Sequence, residues 1–282
     1  MTAPLVVPAQ PRSGASPDPT VRAIQVAAAR SGVDFGFMLA QAALESGFDP
    51  EAQAPTSSAR GLYQFTDATW LAMVRDHGAE VGLGAEAAHI GTTADGRPVV
   101  DDAAARRRIL ALRDDPRLSA ELAARLAKDN RRALETAGGV GAVGATELYL
   151  AHFLGAGQAT KFLARLTATP DADAANLFPV EAKANQDVFH DASGRSRSLA
   201  EVYDRFEARL SAAVRDIDVA SGTLTAMVTR SVPGPSAMPA RPSWQPGHRY
   251  AAPLDPLVVL VLASLDAPAP ADIKRAEPAA RG

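Results

Sequence analysis

The sequence predicts a mainly α protein: one sizeable helical domain, a short stretch compatible with a small β-hairpin, and proline-rich extensions. Three observations carry this. Apolar residues make up 47% of the 282 but aromatics only 5%, and alanine supplies much of the apolar share, a composition that packs helices rather than a β-sandwich. Apolar positions recur at three- and four-residue spacing through much of 20–217, the period of a helix with one buried face. Proline recurs through residues 1–19 and 233–256, where little else can pack.

The same composition excludes several function classes. A net charge of −3 leaves no overall basic field to hold nucleic acid, and Arg106-Arg107-Arg108 reads as a solvated helix face. There is no cysteine, which removes disulfides, thiolate metal sites and cysteine nucleophiles. The five histidines are isolated, none in an H-x-H or H-E-x-x-H spacing, so neither a metal site nor a cofactor is expected.

Taken in order, residues 1–19 read as a disordered or extended arm. Asp18-Pro19 is an N-cap followed by proline at the first helical position, opening a helix to Ser31-Gly32 with Val21, Ile24, Ala27 and Ala28 on one face. Asp34 and Gly47 bracket a second helix, which should pack on the first. Counting back by three and four from Glu45 gives Ala42, Gln41, Met38 and Phe37, so this carboxyl lies on a mostly apolar face. That makes Glu45 a candidate general acid, against the plain alternative of a last-turn glutamate facing water.

Residues 49–60 form a polar loop long enough to wall a cleft, and Gly61 and Gln64 return the chain toward it. Thr66 caps a helix over 67–77 with Trp70, Met73 and Val74 toward the core, ended by Gly78. Periodicity fails from 82 to 100, where Asp95-Gly96 signals a tight hairpin turn. Helical patterning resumes near Asp101 and breaks at Asp114-Asp115-Pro116; Leu118, Leu122 and Leu126 then mark a longer helix, and Gly138 to Gly144 a flexible connection. Thr146 opens a helix in which Leu148, Tyr149, His152 and Phe153 are too crowded with bulky groups to face water, and Gly155 and Gly157 allow a close turn after it. A short helix and a turn at Ser193-Gly194 follow. Ser198 to Glu201 is a capping box for a final helix carrying Leu199, Val202, Tyr203, Phe206 and Leu210.

The composition shifts beyond Ile217, giving four expected parts: an arm over 1–19, a domain over 20–217, a proline-rich linker over 218–256, and a short apolar segment and tail over 257–282. Residues 257–265, LVVLVLASL, are too few to span a bilayer. They read as a segment packed back on the domain, or as a docking element for an envelope or flagellar or secretion assembly partner.

Three groups in this order carry a resemblance: Glu45-Ser46, then Gly61-Leu62-Tyr63-Gln64, then Ala151-His152-Phe153-Leu154-Gly155-Ala156-Gly157. They resemble the three motifs of lytic transglycosylases of the soluble type, which share the lysozyme-like fold with goose-type lysozymes. The resemblance spans Glu45 to Gly157, with a stretch of roughly 84–115 outside the pattern. It implies a peptidoglycan lytic transglycosylase acting on glycan strands, cleaving the MurNAc-β-1,4-GlcNAc bond and leaving a 1,6-anhydro-MurNAc end. It implies Glu45 as acid and then base, Ser46 orienting near it, and Gly61 letting the backbone approach the saccharide. Tyr63, Gln64, Tyr149 and His152 would contact the glycan.

The family's third motif reads Ala-Tyr-Asn-x-Gly-x-Gly, so His152 and Phe153 stand where tyrosine and asparagine would be, which bears on that motif's substrate contacts. His152 reads equally as a core histidine or a site residue. The nearest other carboxyls, Asp49, Glu51 and Asp67, read as turn, loop and first-turn helix residues. The rivals are a hydrolytic muramidase of the same fold and a non-catalytic glycan-binding or assembly protein of an envelope machine or phage particle. The resemblance implies the periplasm or cell envelope, although the first residues lack the basic and continuous apolar regions of a secretory signal.

Overall fold

The helix ends fall where capping chemistry places them. The computed structural model describes residues 18–55, 57–138 and 141–228; the arm before 18, the proline-rich stretch 233–256 and the apolar 257–265 lie outside the described residues. Helix α1, Pro19–Ser31, starts on the Asp18 carboxylate, which accepts from Thr20 N–H, and ends on Gly32 in the left-handed region. Helix α2, Phe35–Ser46, starts on Asp34, which accepts from Phe37 N–H, and ends on Gly47. In each case a side-chain oxygen satisfies a donor that the first turn leaves free.

Helix α3, Asp67–His77, is capped by Thr66 and passes through a 3₁₀ turn, Gly78–Val81. Trp70 is fully enclosed and donates its indole N–H to the Ile109 carbonyl at 2.7 Å, so it is core and lines no sugar subsite. A short helix α4, Gly84–Ala87, precedes the hairpin of β1, Gly91–Thr92, and β2, Pro98–Val99, paired antiparallel with Gly91 opposite Val99. The expected Asp95-Gly96 turn joins them, with Gly96 at φ 83°.

Helix α5, Ala103–Ala111, runs through a 3₁₀ turn at Leu112–Asp114 to α6, Pro116–Ala137, which starts on the Asp115 carboxylate with proline in its first turn. α6 contributes to the core through Leu118, Leu122, Ala124 and Leu134. It packs on α1, α3, α7 (Ala145–Leu154) and α8 (Ala156–Ala168). Its Glu121 is 4% exposed and pairs with Arg30 of α1 at 2.9 Å, with Arg117 and Arg125 of its own helix at 3.7 and 3.8 Å. A carboxylate buried this deeply stands only because those cations offset its desolvation.

Three short helices, α9 (Ala174–Leu177), α10 (Pro179–Ala184) and α11 (Gln186–Phe189), lead to α12, Leu199–Val228. The expected capping box is present: Ser198 N–H donates to Glu201 Oε2 at 2.8 Å and Glu201 N–H to Ser198 Oγ at 3.2 Å. α12 continues without a break through residue 217, where the composition shift falls. Its Leu199, Val202, Phe206 and Leu210 are buried, and the helix lies against α2, α7, α8 and α11. The fold is therefore mainly α with one small hairpin, as the sequence predicts.

Candidate active site

α2 delivers Glu45 to the surface by anchoring everything before it. Phe37 through Ala42 are buried, Gln41 included. Gly47 and Phe48 then take successive positive φ values of 61° and 68°, turning the chain away and leaving Glu45 at the rim with its side chain 20% exposed. Two non-glycine residues among the described ones have positive φ, Phe48 and Gln64 at 47°. They stand at the two ends of the stretch that runs from the close of α2 to the Gly61–Gln64 turn, and such backbone persists only where its surroundings hold it.

On one side stands the turn Gly61–Gln64. Ser46 Oγ donates to the Leu62 carbonyl at 2.9 Å and so fastens the turn to the end of α2. Gly61 sits at φ 83°, and a Cβ there would lie 2.3 Å from the Arg113 carbonyl oxygen, a clash that no relaxation of a side chain relieves. Arg113 is 6% exposed. Its Nη1 donates to the Ser58 carbonyl at 2.7 Å and the Phe65 carbonyl at 3.0 Å, and lies 2.9 Å from Asp67. Burial pulls this guanidinium below its ordinary value, against the Asp67 carboxylate beside it. Nothing in the sequence marks Arg113. It reaches the loop across about fifty residues, and only folding brings them together.

On the other side stand α7 and α12. His152 Nε2 is 3.4 Å from Glu45 Oε1, with the imidazole 16% exposed. Tyr149 lies close enough to feel the Glu45 charge: burial first, and then that charge, push this phenol far above its ordinary value, so it stays protonated. The Tyr149 and His152 rings lie 6.4 Å apart with planes 9° apart. Phe206 of α12 packs edge-on against both Tyr149 and Phe153, at 5.6 and 5.0 Å. The Arg209 charge on the same helix partly opposes the rise at Tyr149. Gly155 at φ 78° is the single residue between α7 and α8, the close turn expected of it.

In this geometry the residues expected to contact the glycan have partners within the protein. Tyr63 is wholly buried, with its hydroxyl donating to the Met38 carbonyl at 3.2 Å, so it meets the core and not a glycan. Tyr149, at 4% exposure, reaches Glu45 rather than solvent. Gly61 allows the close approach of the Arg113 carbonyl. Gln64 spends both amide protons on the backbone, donating to Ala52 and Gly61 carbonyls at 3.0 and 2.9 Å, which leaves its Oε1 as the atom that can meet a ligand. Ser46 fastens rather than binds. His152 and Phe153, expected to be shut from water, are only part-buried. Among the other carboxyls, Asp67 pairs with Arg106 at 2.7 Å as well as with Arg113, and Asp49 accepts from Glu51 N–H at 2.9 Å in a tight turn.

A half-sheltered carboxyl with a phenol and an imidazole beside it on one flank can hold and pass a proton to an approaching oxygen. Residues 22–83 match the family model described as Transglycosylase SLT domain. The match takes in α1 to α3 and the following 3₁₀ turn, and so includes Glu45, Ser46 and the Gly61–Gln64 turn, while α7 and α12 lie beyond it. The chain thus resembles soluble lytic transglycosylases, and at family level the match goes with transglycosylase-type activity on peptidoglycan and with the bacterial envelope. Among the described residues, no helix is long and apolar enough to cross a membrane.

Proposed function

We propose that the chain cleaves the MurNAc-β-1,4-GlcNAc bond of peptidoglycan strands as a lytic transglycosylase, with Glu45 as the acid. One observation carries the reading: Glu45 is the carboxyl that the fold holds at the rim, with Tyr149 and His152 turned toward it, inside the segment that matches the family model. The three other nearby carboxyls do not compete. Asp67 is committed to two arginines, Asp49 to a turn, and Glu51 is exposed on the loop.

A single acid suffices if the substrate supplies the second group. Glu45 gives its proton to the departing glycosidic oxygen as the 2-acetamido oxygen of the same sugar closes on C1. The C6 hydroxyl then attacks C1, displaces the acetamido oxygen and loses its proton to a base. The product carries a 1,6-anhydro ring and no water has entered.

We further propose that the catalytic unit ends with α12 and that the residues beyond it serve placement in the envelope. A chain ending at Val228 should cleave purified strands as the full chain does; loss of cleavage or of solubility would put the later residues in the core. The test of the chemistry is mass analysis of sugars released from purified peptidoglycan by the wild type and by Glu45→Gln. Ends one water lighter than reducing ends are expected from the wild type, and at least about a hundredfold less release from the variant, whose melting temperature stays close to wild type. Reducing ends would mean a muramidase, no release a glycan-binding protein, and a variant keeping a tenth of the rate would remove Glu45 from the reaction.

A further inference from the structure

The proposed reaction needs two proton transfers on one face of the sugar, one to the departing oxygen and one from the attacking C6 hydroxyl. A base working across the ring, as in direct inversion, stands about 6.5–9.5 Å from its acid. His152 Nε2 is 3.4 Å from Glu45 Oε1, too close to serve the opposite face and close enough to serve the same one. That distance also exceeds the roughly 2.7–2.9 Å of a charge-assisted N–H···O bond, so Nε2 is beside the carboxyl without being committed to it. The Tyr149 side chain, on the same helix as His152, also lies within reach of the Glu45 charge. The imidazole is backed by the Tyr149 ring and keeps 16% of its side chain open, so it is held in place yet reachable.

We infer that His152 is the base of the second step, taking the C6 hydroxyl proton that a lone glutamate would otherwise have to take. The inference rests on Glu45 being the acid. In the first step the Glu45 O–H bond breaks and the departing oxygen gains that proton as its bond to C1 breaks. In the second, O6 bonds to C1 while the acetamido oxygen leaves it, and the O6 proton goes to Nε2. The site is left with an imidazolium and a carboxylate 3.4 Å apart. One proton passed from Nε2 to Oε1 restores both groups, with no solvent and no third residue. Tyr149 on α7 faces the pair, and the Arg209 charge on α12 acts on Tyr149.

The experiment is His152→Ala assayed with and without added imidazole, beside Glu45→Gln. Turnover of His152→Ala should fall about a hundredfold or more, as loss of a general base does, with KM within about threefold, and free imidazole should restore at least tenfold of the loss. His152→Phe, which keeps a ring against Tyr149, should show the same fall without rescue. A His152→Ala enzyme keeping half its turnover, losing only in KM, or indifferent to imidazole overturns the inference, since a packing, binding or orienting role gives no rescue. Circular dichroism melts control for folding; should His152→Ala not fold, His152→Asn must show the same fall in turnover, and half the wild-type rate in it overturns the inference equally. A readout free of turnover is the ¹⁵N signal of Nε2 at one fixed pH, which should move between wild type and Glu45→Gln. If Glu45→Gln still cleaves, the acid assignment fails; if it is inactive while His152→Ala is fully active, only the base assignment fails.

Discussion

The two flanks of Glu45 are built on opposite principles. The Gly61–Gln64 turn is locked: Ser46 bonds the Leu62 carbonyl, Gln64 bonds two carbonyls, Tyr63 is sealed against Met38, and buried Arg113 holds the backbone around them. The α7 flank is open at its tip, with Tyr149 and His152 aimed at Glu45 from a helix whose support is the aromatic stack on Phe206. The difference teaches that residues resembling substrate contacts in the first flank also hold the scaffold together. The flank that departs most from the family pattern is the one that reaches the acid.

If that division holds, the first flank should fail through stability and the second through rate. The largest effect is expected from Gly61→Ala, which forces a side chain into positive φ and a Cβ to 2.3 Å from the Arg113 carbonyl. Chemical denaturation should show a loss of roughly 3 kcal/mol, the sum of backbone strain and overpacking. An unchanged midpoint would mean the turn is not locked. Next is Tyr149→Phe, which keeps the ring on Phe206 and removes the hydroxyl beside the Glu45 charge, a donor worth about 1.5–3 kcal/mol where it bonds that charge during the reaction. Turnover should fall about tenfold or more with KM nearly constant and the melting temperature little changed. A rise in KM with turnover intact would restore Tyr149 as a glycan contact.

The smallest effect concerns the start of α12, where Arg195 and the Ser198 N–H hold the exposed Glu201 carboxyl down at about 2 from an ordinary 4.5. Its folded value is the lower one, so its contribution is present above about 4.5 and is lost as pH falls toward about 2. The melting-temperature gap between wild type and Glu201→Gln should be small at neutral pH and close across that window. A gap independent of pH would mean the capping box acts without the charge.

The sequence by itself determined several of the helices and where they start and stop. Asp18, Asp34 and Thr66 cap where they are expected to, and Gly32, Gly47 and Gly96 take the left-handed backbone that turns the chain. These are contacts of two to four residues, written in local order and local in energy. Glu45 was legible for the same reason, because helical spacing places it at the end of a buried stripe. Tertiary structure alone decided what the motif residues do. Arg113 meets Ser58 and Gly61 across about fifty residues, and His152 meets Glu45 across about a hundred. No spacing rule reaches so far: whether an atom at such a separation lands beside a partner depends on how α2, α7 and α12 pack, which side-chain volumes fix jointly and no single stretch encodes.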